Sequence, residues 1–177
     1  LLMDVTTKSH IVEQDRRVLQ YMRRIVGSDE FINGIERWCF WITDDKADAA
    51  LEIPIIKERA DLVRDLRLGK ADKSAQRLAA YPYRFREMHE TTTNSLVIPS
   101  VSSENREYVP VGFVDKKTVV TNLAFVIYDC DPWIFGVVSS KMHNLWIKAV
   151  CGGLETRIRY SSELGYNTFP FPAITDE

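Results

Sequence analysis

Residues 136–172, GVVSSKMHNLWIKAVCGGLETRIRYSSELGYNTFPFP, hold a helix, a stop, a short alternating segment and an aromatic–proline tail in one run. Ser139 or Ser140 is placed to cap the helix by accepting a backbone N–H. Met142, Leu145, Trp146, Ala149 and Val150 recur at the spacing of one apolar face, which predicts their burial. Lys141, His143, Asn144 and Lys148 then take the outer face. Gly152-Gly153 ends the helix, because glycine tolerates the left-handed turn found at helix ends. The next residues, Leu154-Glu155-Thr156-Arg157-Ile158-Arg159-Tyr160, alternate in character. In an extended chain alternate side chains share a face, so Glu155, Arg157 and Arg159 point together. Arginine offers a donor fork that matches guanine O6 and N7, and glutamate accepts from cytosine N4. The segment is therefore suited to reading base edges. The same alternation also describes the solvated face of an edge strand. Likewise Tyr160, Tyr166, Phe169 and Phe171 serve equally as a base-stacking platform or as core.

Working outward, residues 1–9 read as a linker and residues 173–177 as a tail. Residues 10–26 place Ile11, Val18, Leu19, Met22, Ile25 and Val26 on a helical stripe that Gly27 and Ser28 end. An Asn33-Gly34 turn leads into a strand over residues 36–43. Its two apolar faces mark it as an inner strand. Pro54 suits the first position of a helix. The apolar stripe of that helix runs through Ile55, Ile56, Ala60, Leu62, Val63 and Leu66 until Gly69. A second helix over residues 73–80 completes a helical hairpin. Residues 81–86, Tyr-Pro-Tyr-Arg-Phe-Arg, return to an extended form with Arg84 and Arg86 on one face. These arginines fit phosphate contact or simple solvation. Residues 96–99 read as a buried strand, and residues 108–114, 119–121, 124–128 and 133–138 as further strands. Between them, residues 102–106 form a polar turn whose Ser102, Ser103 and Arg106 are of the types that ligate phosphate. Asn122-Leu123 lies between two strands, and asparagine can pair bidentately with adenine. Helices and strands mix without strict alternation, which predicts an α+β fold. The expectation is one domain over residues 1–177. It would have a mixed β-sheet, an N-terminal helix, a helical hairpin and one C-terminal amphipathic helix.

Composition limits the function classes. With 177 residues, 45% hydrophobic and 11% aromatic, the chain can bury a core and is not a disordered type. No apolar run approaches the roughly 20 residues that span a bilayer. Leu1-Leu2-Met3-Asp4 resembles neither a signal peptide nor an initiator, which suits a piece of a larger protein. Cys39, Cys130 and Cys151 are scattered without a Cys-x-x-Cys pair, as expected of reduced cysteines in a cytoplasmic protein. The three histidines are equally dispersed, which argues against a zinc site. A net charge of −2 argues against a stand-alone electrostatic clamp on nucleic acid. There is no Gly-x-Gly loop, and Asp131-Pro132-Trp133 carries one proline where an amino-methyltransferase motif needs two. Asp115-Lys116-Lys117 is too generic for a Mg2+-dependent nuclease. His143 and Cys151 lie eight positions apart on one helix and do not make a catalytic pair. No catalytic residue is expected in this chain.

Three segments resemble one family. They are EFINGIERWCFW at residues 30–41, IPSVSSENREYVPVGF at 98–113, and FGVVSSKMHNLWIKAV through YNTFPFP at 135–172. In this order they resemble the target recognition domain of MmeI-like enzymes, fused type II restriction–modification proteins that methylate adenine. The resemblance implies a DNA-reading rather than a catalytic module. It implies that Glu155, Arg157 and Arg159 read bases, with Asn122 and Leu123 as a second reading pair. It turns Ser102, Ser103 and Arg106 towards the DNA backbone, with Arg84, Arg86 and Lys141 as further backbone candidates. Double-stranded DNA and a methyltransferase domain of the same polypeptide would be the partners. S-adenosylmethionine would serve the parent protein, with Mg2+ if it also cleaves. A competing expectation is a protein-interaction module that docks through residues 166–172.

Overall fold

The computed structural model describes residues 1–103, 105–154 and 157–173. In chain order the elements are β1 (Leu2–Asp4), α1 (Val5–Gln14), β2 (Met22–Val26), α2 (Ser28–Asn33), β3 (Arg37–Phe40), α3 (Ala47–Leu51), α4 (Pro54–Leu68) and α5 (Lys73–Arg77). There follow β4 (Ser95–Pro99), β5 (Val101–Ser102), β6 (Gly112–Val114), β7 (Val119–Val120), β8 (Ala124–Ile127), α6 (Pro132–Val138), α7 (Lys141–Val150), β9 (Gly153–Leu154) and β10 (Arg157–Arg159). The class is α+β. The chain divides into two compact units, Leu1–Ile25 with Glu36–Glu90, and Val26–Ile35 with the residues from Thr91 onward. Its strands are shared among separate sheets, where the sequence reads as a single one.

In the first unit β3 is the inner strand, as its two apolar faces predict. It pairs antiparallel with β1, Met3 opposite Trp38, and with β2, Met22 opposite Phe40. Residues 1–9 are thus no linker. Met3 is buried, and the Asp4 carboxylate caps α1 by accepting the Thr7 N–H at 2.7 Å. The expected helix over residues 10–26 breaks at Asp15, whose extended backbone (φ −151°) ends α1. A 3-10 turn, Arg16–Tyr21, then delivers β2. The apolar residues Met22, Ile25 and Val26 satisfy strand pairing as well as helical spacing, and the partner β3 decides between them.

The helical hairpin forms, with Pro54 at the first turn of α4 and Gly69 at its end. Ile56 and Ala60 are buried, but Leu62 and Leu66 remain 58% and 68% exposed. Arg67 occupies the inner side of the last turn instead. Its guanidinium donates to the carbonyls of Leu78 and Tyr81, both at 2.8 Å, and of Arg84 at 2.6 Å. Three carbonyls converging on one cation fold residues 81–86 into turns, so the expected extended segment is absent.

In the second unit β4 is buried along its whole length between β6 and β8. The strand expected over residues 108–114 is confined to β6, after Pro110. Residues 133–138 form helix α6, not a strand. Pro132 occupies the first turn, and Ile134 and Val138, one turn apart, pack into the same apolar cluster. Helix α7 is capped by Ser140, whose hydroxyl accepts the His143 N–H at 3.1 Å. Its buried face takes in two residues expected outside, while Lys141 and Lys148 are exposed and Trp146 packs on the core as expected. His143, Asn144 and Ile147 are buried, whereas Met142 and Leu145 are 61% and 58% exposed. His143 and Asn144 each make one side-chain hydrogen bond, while His143 Nδ1 and Asn144 Oδ1 have no partner among the described residues. His143 Nε2 lies 3.0 Å from the Tyr160 hydroxyl, and the Asn144 amide donates to the Glu107 carbonyl. Burial of polar groups is tolerable once such bonds are made.

The aromatic–proline tail completes this core. Phe169 is buried and stands edge-on to the His143 ring with centroids 4.6 Å apart, while Phe171 packs on Tyr166 at 4.9 Å. Gly165 is required there, since a Cβ would collide with Ile147 Cδ1 and lie 2.9 Å from Cys151 Sγ. The aromatic side chains expected to dock a partner are thus packed on the domain's own core, Phe169 buried and Tyr166 and Phe171 partly so, while Asn167, Thr168, Pro170 and Pro172 are exposed.

Candidate nucleic-acid interface

Strand β10 is the middle strand of a small sheet. It pairs with β9, Arg157 opposite Leu154, and with β5, Arg159 opposite Val101. Ile158 is half-buried beneath, and Arg157 and Arg159 are exposed on the other side. The alternation read from the sequence thus places both arginines on one outward face. Glu155 lies outside the described residues.

Asn122 and Leu123 form the tip of a tight turn between β7 and β8. The Thr121 carbonyl accepts the Ala124 N–H at 3.1 Å, and its hydroxyl accepts the Leu123 N–H at 3.3 Å. Both tip side chains are exposed, Leu123 by 60%. The Leu123 carbonyl accepts the Ser100 hydroxyl at 2.6 Å and also the Ser28 hydroxyl. Ser100 is bound at three points. Its N–H donates to Ser28 Oγ at 2.9 Å, and its own carbonyl accepts the Tyr160 N–H at 2.9 Å. Tyr160 directly follows Arg159. One serine therefore ties the Asn122-Leu123 turn to the end of the arginine strand.

The remaining candidates are distributed differently. Ser102 is not part of an open turn; it is buried in β5 opposite Ile158. Pairing with the central strand turns it inward. Ser103 accepts the Asn105 N–H at 3.3 Å, and Arg106 is exposed in the same turn. Lys141 is exposed at the start of α7, with Nζ 3.7 Å from Glu107 Oε1. Arg84 and Arg86 belong to the first unit and are held by carboxylates. Arg84 meets Asp44 at 2.6 Å and Arg86 meets Asp72 at 3.3 Å. Gly27, Ser28 and Ser100 escaped the sequence reading. No local pattern links Ser28 to Ser100, 72 positions away.

Beneath β10 the chemistry is neutral. Burial lowers the His143 pKa to about 4 and raises that of the Tyr160 phenol. Burial also pushes the Cys39 thiol up to about 12, so it is no nucleophile at neutral pH. Among the described residues no His, Cys, Asp and Glu cluster could hold a metal ion, and no helix is long and apolar enough to cross a membrane. What the surface offers is forked cationic donors, an amide and an apolar side chain, a set able to meet base edges.

The family model described as "MmeI, target recognition domain" matches residues 1–173. The chain belongs to that family. It is 41% identical over 175 residues to DNA methyltransferase A of Bacillus subtilis (strain 168), covering 99% of this chain and 20% of the relative. It also superposes on the structure of the type IIL restriction-modification enzyme MmeI in complex with DNA. The TM-score there is 0.92 at 37% identity, over 99% of this chain and 23% of the MmeI chain. The chain thus spans about a fifth of the length of these relatives, and what it shares with them is the MmeI target recognition domain.

Proposed function

We propose that this MmeI-type target recognition domain reads the sequence of double-stranded DNA for an adenine-N6 methyltransferase carried on the same polypeptide. The observation that supports the reading is that Ser100 bonds both the exposed Asn122-Leu123 turn and Tyr160, the residue after the exposed Arg157 and Arg159 of β10. The two arginines are the candidate donors to guanine, and Asn122 is the candidate partner of adenine. Leu123 supplies apolar contact beside it. Glu155, from the family resemblance, is the acidic member of the strand set. Arg106, Ser103 and Lys141 are placed on the backbone of the duplex. Ser102, being buried, drops out of that role, and Arg84 and Arg86 already answer carboxylates.

The near-neutral charge of the domain fits a division of labour in which other parts of the polypeptide hold the phosphates. S-adenosylmethionine would be bound by the methyltransferase part. Mg2+ would be needed only if the parent also cleaves. The experiment is to express the full-length protein and map N6-methyladenine in the host genome, then repeat with Glu155→Ala/Arg157→Ala. A methylated motif that changes at one base pair supports the reading. An unchanged motif removes the strand from recognition.

A further inference from the structure

Reading bases with a two-residue turn demands that the turn point in one direction, yet Asn122 and Leu123 carry no side-chain bonds that would fix it among the described contacts. The restraint comes from a segment 95 positions away in the chain. Val26 accepts the Thr121 N–H at 2.8 Å, and the Ser28 hydroxyl donates to the Leu123 carbonyl while accepting the Ser100 N–H at 2.9 Å. Between them, Gly27 has no side chain. A Cβ there would lie 2.7 Å from Thr121 Oγ1 and 3.3 Å from Leu123 Cβ. The Gly27 N–H is in turn held by the buried Glu30 carboxylate at 2.9 Å. The turn therefore rests on Val26-Gly27-Ser28 at closest approach, with the Ser28 hydroxyl joining that of Ser100 on the Leu123 carbonyl.

We infer that Ser28 and Gly27 are positioning residues for base reading: they aim the Asn122-Leu123 turn and so set which base pair it accepts, without touching DNA. The inference rests on the proposed reading of DNA by that turn. A serine hydroxyl donates once and accepts twice, so it can serve the Leu123 carbonyl and the Ser100 N–H together. Alanine at position 28 can do neither, while threonine keeps the hydroxyl. Leu123 would still be held by Ser100 alone, and the peptide could rotate.

The test is motif mapping in the full-length methyltransferase with Ser28→Ala, Ser28→Thr, Gly27→Ala and, as a reference, Asn122→Ala/Leu123→Ala. Unfolding midpoints are recorded for each. The expected result is that Ser28→Ala relaxes the motif about tenfold at the base pair that the reference variant alters, and at no other. Ser28→Thr restores discrimination, and Gly27→Ala shifts it at the same pair. If the reference variant changes the motif and Ser28→Ala only lowers methylation evenly in step with lost folded protein, the positioning role is overturned and the reading role stands. If the reference variant itself leaves the motif unchanged, the turn reads no base and both ideas fall together.

Discussion

Ser100 donates its hydroxyl to the Leu123 carbonyl at 2.6 Å, bridging two strand ends 23 residues apart in sequence. The same residue accepts the Tyr160 N–H, so the turn and the arginine strand share one anchor. A shift of either element would therefore move the other.

Ser100→Ala is expected to remove one hydroxyl bond but to keep the backbone bond to Tyr160. The stability loss should be about 0.5–1.5 kcal/mol by urea unfolding. A loss well above that range would mean that the β4–β5 connection itself depends on the hydroxyl.

Arg157→Ala and Arg159→Ala separate base contacts from phosphate contacts. An arginine paired with guanine should cost about 1–3 kcal/mol at one base pair and leave other positions intact. One that meets phosphate should weaken all sequences alike and reduce the salt slope by about 1. Competition binding across single-base variants at several salt concentrations distinguishes these outcomes.

His143 makes the fold sensitive to acid. Its folded pKa of about 4 lies below the ordinary 6.5, so the unfolded chain binds its proton first. The stability due to the buried neutral ring is complete above pH 6.5 and is lost as the pH falls towards 4. The loss should reach about 3 kcal/mol. Unfolding curves between those pH values should flatten in His143→Phe, whatever the absolute stability of that variant.

The position of the buried stripe on α4 can be checked directly. Ile56→Ala should cost about 2–5 kcal/mol, because Ile56 is fully buried. Leu62→Gln and Leu66→Gln should lie within about 0.5 kcal/mol of the parent, as expected of exposed positions.

Gly165→Ala should destabilise by about 1–3 kcal/mol, because its Cβ meets Ile147 and Cys151 in the packed end of α7. Thermal unfolding with a probe on Trp146, which packs against Phe169, would report it.

Several elements were legible without coordinates because their signals are local. Pro54 and Gly69 bracket α4, Ser140 caps α7, and the alternation of Arg157, Ile158 and Arg159 places both arginines on one face. The inner position of β3 followed from its two apolar faces. Three errors share one origin. Residues 22–26 became strand, residues 133–138 became helix, and α7 turned His143 and Asn144 inward. In each the apolar spacing was compatible with more than one answer, and a distant partner chose. For α7 those partners are Tyr160 and the Glu107 carbonyl, which bond His143 Nε2 and the Asn144 amide nitrogen.

The amino-acid sequence by itself determined the α+β class, the bounds of α4, the Ser140 cap of α7, the outward arginine pair and the family, because caps, periods and motifs act over a few residues. Only the tertiary structure decided that Ser28 and Ser100 hold the Asn122-Leu123 turn, that Ser102 points inward, and that Phe169 of the aromatic tail is buried. Those outcomes depend on hydrogen bonds and packing between residues tens of positions apart, which no local pattern encodes.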